Sequence, residues 1–164
     1  MGDAFAKAFA IVIGEEGGYC NDAADPGGAT KYGISHAAYP DLDIPNLTLA
    51  GAQAIYQRDY WDKIAGDRLD PGLALLVFDA AVNNGVGRAT EWLQVAARVA
   101  VDGVIGDVTV GAANQNVVAT CAEFMARRML FMASLSTWKN FGLGWARRLC
   151  MLPYQAATMA GRSS

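Results

Sequence analysis

Histidine is almost missing from this chain. Its 164 residues include one His, His36, and three Cys, Cys20, Cys121 and Cys150, set far apart. Zinc hydrolases use two or more His, or Cys at short spacing, so no metal site and no cofactor are expected. A serine triad would need the single His beside a nucleophilic Ser, and the chain has no G-x-S-x-G. Three widely spaced Cys make no disulfide framework and suit a reducing compartment. A thiol pair of Cys20 with His36 has no third group to activate it. Long apolar runs are missing too: none reaches the ~20 residues of a membrane span. The run Phe9 to Ile13 lies between Asp3 and Glu15–Glu16, so no conventional signal peptide is legible.

What is present points to a folded chain. Hydrophobic residues make up 53% and charged residues 18%, which excludes long disordered tracts. The length fits one compact unit or two small lobes sharing a core. The net charge of −3 conceals an asymmetry. Residues 1–71 hold 11 acids and 5 bases, and residues 72–164 hold 5 acids and 8 bases. With a pI near 5.0, no nucleic-acid partner is expected.

The periodicity is helical. Asp3 is placed to cap a first helix with Phe5, Ala8, Phe9, Val12, Ile13 and Glu16 on one face, stopped by Gly17–Gly18. Residues 20–35 carry turn chemistry with room for a small hairpin. A helix over 48–62 turns Leu49, Ala52, Ile55, Tyr56 and Trp61 inward. Pro71 opens another, which Gly85 and Gly87 end. Arg88 to Ala100 continues as helix. Asp107 is placed to cap the next. One long helix is expected over about 117–140, with Trp138 on its stripe, and a short one holding Trp145 and Leu149 before Pro153. The expected fold is mainly α and lysozyme-like, with at most one small β-hairpin. Residues 1–86 form the expected catalytic region and 87–164 a helical second region packed against it.

The chemistry concentrates between Glu15 and Ser35. Glu16 takes an apolar-stripe position at the end of its helix, beside Glu15. Burial, the helix's negative end and a neighbouring carboxylate each raise a carboxyl pKa. A carboxylic acid still protonated near neutral pH can serve as a general acid. A helix-end Glu tied to an Arg is the structural alternative. Asp25 follows nine residues on, across Pro26–Gly27–Gly28, and Thr30 five later. Two carboxyls and a hydroxyl at one cleft suit glycosidic hydrolysis, in which one protonates the leaving oxygen and the other orients water or stabilises the oxocarbenium ion. Asp25 is equally at home as a turn residue.

These residues carry a resemblance. Glu16–Gly17–Gly18–Tyr19, Asp25–Pro26–Gly27–Gly28–Ala29–Thr30 and Tyr32–Gly33–Ile34 resemble glycoside hydrolase family 108, whose members are N-acetylmuramidases acting on peptidoglycan. Glu16 matches that family's catalytic acid. Phe78 to Gly85 is similar to the segment ending the hydrolase region. Trp92–Leu93–Gln94, Val101 to Gly106, and Phe141 to Arg148 are similar to the predicted peptidoglycan-binding region that accompanies it. Cys20, Lys31 and Ser35 depart from the commoner residues. The resemblance implies hydrolysis of the β-1,4 bond between N-acetylmuramic acid and N-acetylglucosamine, with Glu16, Asp25 and Thr30 as catalytic candidates.

Tyr19 and Tyr32 flank the motif and offer rings to sugar faces, or simply pack. Asp79 and Asn83, four apart on one helix face, either line the cleft or bond nearby backbone. Arg127–Arg128 and Arg147–Arg148 read first as exposed helix residues, with contact to anionic wall polymer or lipid as the alternative, and Arg128 placed to pair internally; Trp138 and Trp145 read as core. The expected partner is the peptidoglycan glycan strand, met by a monomer. A wall enzyme made without a signal peptide would reach its substrate as phage lysis proteins do, through a holin pore. Two other readings stay open: a non-catalytic wall-binding or secretion-associated module, and a lytic transglycosylase.

Overall fold

The computed structural model describes residues 2–14 and 28–161. Seven α-helices, one two-stranded hairpin, a π turn (Gln57–Trp61) and a 3-10 turn (Gly66–Arg68) make up the regular structure among them: α1 (Asp3–Ile13), β1 (Thr30–Lys31), β2 (Ile34–Ser35), α2 (Leu49–Tyr56), α3 (Pro71–Asn84), α4 (Val86–Ala96), α5 (Asp107–Gln115), α6 (Val117–Ser134) and α7 (Trp138–Met159). The fold is mainly α.

Helix α3 is the axis. Asp70 caps it, accepting from the Gly72 and Leu73 amides, and Pro71 supplies a first-turn residue with no amide to satisfy. Every residue from Gly72 to Ala81 is buried, because α1, α4, α6 and α7 all pack on it. Gly72 is required here: a Cβ would stand 2.5 Å from the Ala156 carbonyl oxygen of α7. Aromatic rings fill the space between α1 and α3. Phe5 lies 5.5 Å from Trp61 and 6.0 Å from Phe78, and Phe9 lies 5.4 Å from Tyr56, all centroid to centroid.

Tyr56 and Trp61 both reach this core because α2 widens into a π turn over Gln57–Trp61, with the Asp62 amide on the Gln57 carbonyl. In an α-helix, residues five apart point about 140° from each other. The wider turn brings both rings inward.

Several boundaries differ from the sequence expectation. Helix α1 stops at Ile13, not at Gly17–Gly18. Gly14 takes φ 76° and ψ 172°, a backbone open in practice only to glycine, and its amide bonds the Ala10 carbonyl. Asp3 and Asp107 are first-turn residues instead of caps; Gly2 and Gly106 hold the cap positions, and Asp3 pairs with Lys7 while Asp107 pairs with Arg68. Leu49 is exposed. Gly85 alone closes α3, and α4 opens at Val86, so Gly87 lies inside it; α4 ends at Ala96, where Arg98 turns left-handed.

The largest difference lies near the C-terminus. The expected 117–140 helix breaks after Ser134, and α7 runs unbroken from Trp138 to Met159 through Pro153. Proline in a helix interior costs about 3 kcal/mol. Pro153 lies on the exposed side of α7, and the buried stripe Gly142, Leu149, Leu152 and Ala156 holds both halves against the body.

Candidate active site

Glu16, Tyr19 and Asp25 lie outside the described residues. What the structure describes is the frame on either side of them: the end of α1 and the hairpin that follows.

The hairpin pairs Thr30 with Ser35 and Lys31 with Ile34. Its two-residue turn places Tyr32 at φ 52° and Gly33 at φ 74°, the left-handed pair of a tight hairpin. Tyr32 carries real strain there, since a bulky residue seldom takes positive φ. Two contacts hold it. The Tyr56 hydroxyl donates to the Tyr32 carbonyl at 3.1 Å, and Lys31 Nζ donates to the Pro45 carbonyl at 2.9 Å while lying 5.7 Å from the Tyr32 ring centre. Gly33 leaves room for that hydroxyl; a Cβ would sit 2.7 Å from it. Thr30 is half-buried, and its Oγ1 donates to the Gly28 carbonyl at 3.2 Å.

Tyr56 is therefore a hinge pin that the sequence reading placed only in the core. Its ring packs on Phe9 of α1 and stacks on Tyr60, while its hydroxyl fastens the hairpin. Burial, with the neighbouring Tyr60, pushes its pKa up to about 12. It keeps its proton, and so stays a donor, across the physiological range.

On the other side stands a buried charge network. The Asp79 carboxylate of α3 is fully buried; it pairs with Arg128 of α6 at 2.6 Å and accepts from Arg148 Nε of α7 at 2.9 Å. Arg148 Nη2 also donates to the Val12 carbonyl at 3.3 Å, satisfying one of the orphan carbonyls at the end of α1. Arg128 Nε donates to Asn84 Oδ1 at 2.9 Å, and exposed Asn83 returns its amide to the Asp79 carbonyl at 2.8 Å. Burial lowers the pKa of Arg128, and the Asp79 charge beside it opposes that shift. Four helices meet here, and two guanidinium groups against one carboxylate leave a net positive charge beside the end of α1.

The seven candidates thus divide. Thr30 and Tyr32 sit together on the hairpin. Asp79 is a buried anchor, and Asn83 lies four residues on at the exposed end of α3. The network had a sequence signal: a lone carboxylate inside the apolar run 72–82 must find buried cations. Arg148 carried no such signal, because its partner lies 69 residues away. Among the described residues, no group of three or more His, Cys, Asp or Glu is placed to hold a metal ion, and no helix is long and apolar enough to cross a membrane.

The described frame is a helical body with a helix end on one side and a short hairpin on the other. The model of the family described as Glycosyl hydrolase 108 matches residues 9–85. The structure of Brucella abortus SagA is 35% identical, with a TM-score of 0.83, covering 98% of this chain and 97% of that one. A comparison with curated proteins finds no match. The chain belongs to glycosyl hydrolase family 108, and at the level of that family it is a glycoside hydrolase of the peptidoglycan-cleaving kind.

Proposed function

We propose that this protein is an N-acetylmuramidase that hydrolyses the β-1,4 bond between N-acetylmuramic acid and N-acetylglucosamine. Glu16 donates the proton to the leaving oxygen. Asp25 is the second carboxylate, and the Thr30 hydroxyl positions water or the sugar. Tyr19, Tyr32 and Asn83 meet the glycan, and Asp79 acts through the helices that it ties together. The protein works as a monomer.

One observation carries the reading. The segment that holds Glu16 and Asp25 lies wholly inside the family match, and both of its flanks are fastened to the same rigid core. Tyr56 grips Phe9 on one side and the hairpin on the other, and Arg148 caps the end of α1. Fixed flanks are what two carboxyls need to keep a working separation. Helix α1 stops at Ile13, and Glu16 lies outside the described residues. Its assignment as the acid rests on the family motif and this frame.

The test is chemical. The wild-type protein and Glu16→Gln are incubated with purified peptidoglycan, and the soluble fragments are weighed by mass spectrometry. Reducing muramic ends from the wild type alone support the proposal. Anhydro-muramic ends would make the protein a transglycosylase, and binding without fragments would make it a wall-binding module.

A further inference from the structure

A cleft of about 820 Å³ lies between the end of α4, the α5–α6 junction and the first half of α6. Its size falls within the ~300–1,000 Å³ of ligand pockets. The sequence blocks at 92–94, 101–106 and 141–148, which resemble the wall-binding region, take no part in it; its lining comes from within 95–98 and 112–127.

Two guanidinium groups line this cleft. Arg98 follows α4 and takes φ 59°, the left-handed turn that usually carries glycine at a helix end. The turn itself is regular: the Val99 amide bonds the Gln94 carbonyl at 3.1 Å. Glycine would take it without strain, whereas arginine takes it at a cost to folding. What the arginine adds is a charged side chain in the cleft, and none of the ion pairs among the described residues includes it. Arg127 pairs with Glu123 through Nη2 at 2.7 Å, but its Nε is buried and meets no acceptor. A buried donor without an acceptor is uncommon in folded proteins, and an arriving carboxylate supplies one. Glu123 is the one acid of the lining, so the cleft is positive on a chain whose net charge is −3.

The helices hold the two arginines apart. Trp92 of α4 lies 6.2 Å from Phe124 and 5.4 Å from Phe131 of α6, and Arg88 lies over the Phe131 ring. The two helices are therefore antiparallel, and Arg98 comes about level with residues 120–121. From there to Arg127 the helix rises about 10 Å. A small di- or tricarboxylate does not span that distance. A peptide in the extended polyproline II form does: residues three apart share a face and stand about 9 Å from each other. Ala119, Ala122 and Ala126 leave room for a main chain to lie close, and exposed Gln115 offers it a donor and an acceptor. No aromatic residue lines the cleft, so it lacks the ring faces that stack sugars or unpaired bases.

We propose that this cleft docks an extended acidic segment of a partner protein, with two carboxylates three residues apart meeting Arg98 and Arg127. The complementary charge selects the occupant, and the spacing of the arginines sets its register. Docking here is independent of the muramidase reading and touches none of its catalytic candidates.

The probe is a fluorescein-labelled peptide, Gly-Glu-Pro-Pro-Glu-Pro-Gly, titrated with the full-length protein at low salt and read by anisotropy. One control carries Gln for both Glu, and another carries the two Glu side by side. The probe should bind at least about fivefold tighter than either control. Arg98→Gly should erase that preference while the melting temperature holds or rises, since glycine relieves the turn. An arginine with a structural role alone would not lose binding as the fold gains stability. Ala122→Phe keeps both charges and fills the cleft from an exposed position, so it should weaken binding with folding intact. Both variants should release fragments from sacculi as the wild type does, and a wild type that releases none leaves the peptide titration readable. Equal binding of the Glu and Gln peptides overturns the proposal, as does unchanged binding in both variants. Tighter binding of a soluble wall stem peptide than of the probe overturns the partner protein as occupant. So does self-association in sedimentation that Arg98→Gly abolishes, which would seat the acidic half of a second copy there.

Discussion

Asp79 and Arg148, 69 residues apart in sequence, meet at 2.9 Å in the middle of the fold, and the same guanidinium reaches on to the Val12 carbonyl at the end of α1. One contact ties the central helix, the long C-terminal helix and the helix that leads into the Glu16 segment. Removing the carboxylate charge leaves Arg128 buried against a neutral amide. Asp79→Asn should therefore cost about 3 kcal/mol or more in a denaturant titration. Arg148→Gln should cost about 1 kcal/mol, since that side chain is partly solvated and gives up mainly one charged hydrogen bond and a helix-end contact. Equal costs for the two would contradict the placement of Arg128 as the dependent cation.

Tyr56 gives the fold an alkaline limit. Its folded pKa of about 12 stands above the ordinary value of 10.0. The unfolded chain loses this proton first as pH rises, so the stabilisation is complete below about pH 10 and is lost between there and about pH 12. The melting temperature of the wild type should fall across that window. Tyr56→Phe should start lower and fall less steeply. Part of the slope will remain, because burial and the hydrogen bond to Asp59 raise Tyr39 as well. An identical slope in both proteins would remove Tyr56 from the account.

Gln94 organises the turn after α4. It is fully buried; Nε2 donates to Asp102 Oδ1 at 2.6 Å and to the Val104 carbonyl at 3.0 Å, and Oε1 accepts the Gly103 amide at 3.0 Å. The hydrogen bond from Gln94, then that from the Val104 amide, holds the Asp102 carboxyl below its usual range. Gln94→Leu keeps the volume and removes these bonds, leaving the Gly103 amide to solvent and the Val104 carbonyl with the Gly106 amide alone. It should cost about 1 kcal/mol, and amide exchange should quicken at Gly103 and Val104 before it does in α3. Uniform loss of protection across the chain would mean that the loop does not depend on Gln94.

Much of this was legible in the residues, and the misses have physical causes. Pro71 and Gly85 bracket α3 because proline suits a first turn that needs no amide and glycine alone takes the positive φ of this helix end. The hairpin was legible as turn chemistry around Gly33. Gly14 was passed over because a glycine pair, Gly17–Gly18, stood three residues on, yet the first glycine able to take positive φ ended the helix. The break between α6 and α7 falls at Ser134–Thr137, where no Gly or Pro marks it. Pro153 reads locally as a stop and is overridden by the buried stripe on either side of it. At the site, residue types and spacing pointed to Glu16, Asp25 and Thr30, whereas Tyr56 and Arg148 act through contacts 24 and 136 residues away, which no local pattern encodes. Trp138 and Trp145 have core spacing but are only half-buried in the first half of α7.

The central claim is that Glu16 hands a proton to the glycosidic oxygen of a muramic linkage. The most direct measurement is mass spectrometry of fragments released from purified sacculi by the wild type and by a Glu16→Gln protein of unchanged melting temperature. The account predicts disaccharide-peptides with reducing muramic ends from the wild type and a loss of at least about 100-fold in their rate of release from the variant. Release of the same fragments at the same rate by the folded variant would contradict it.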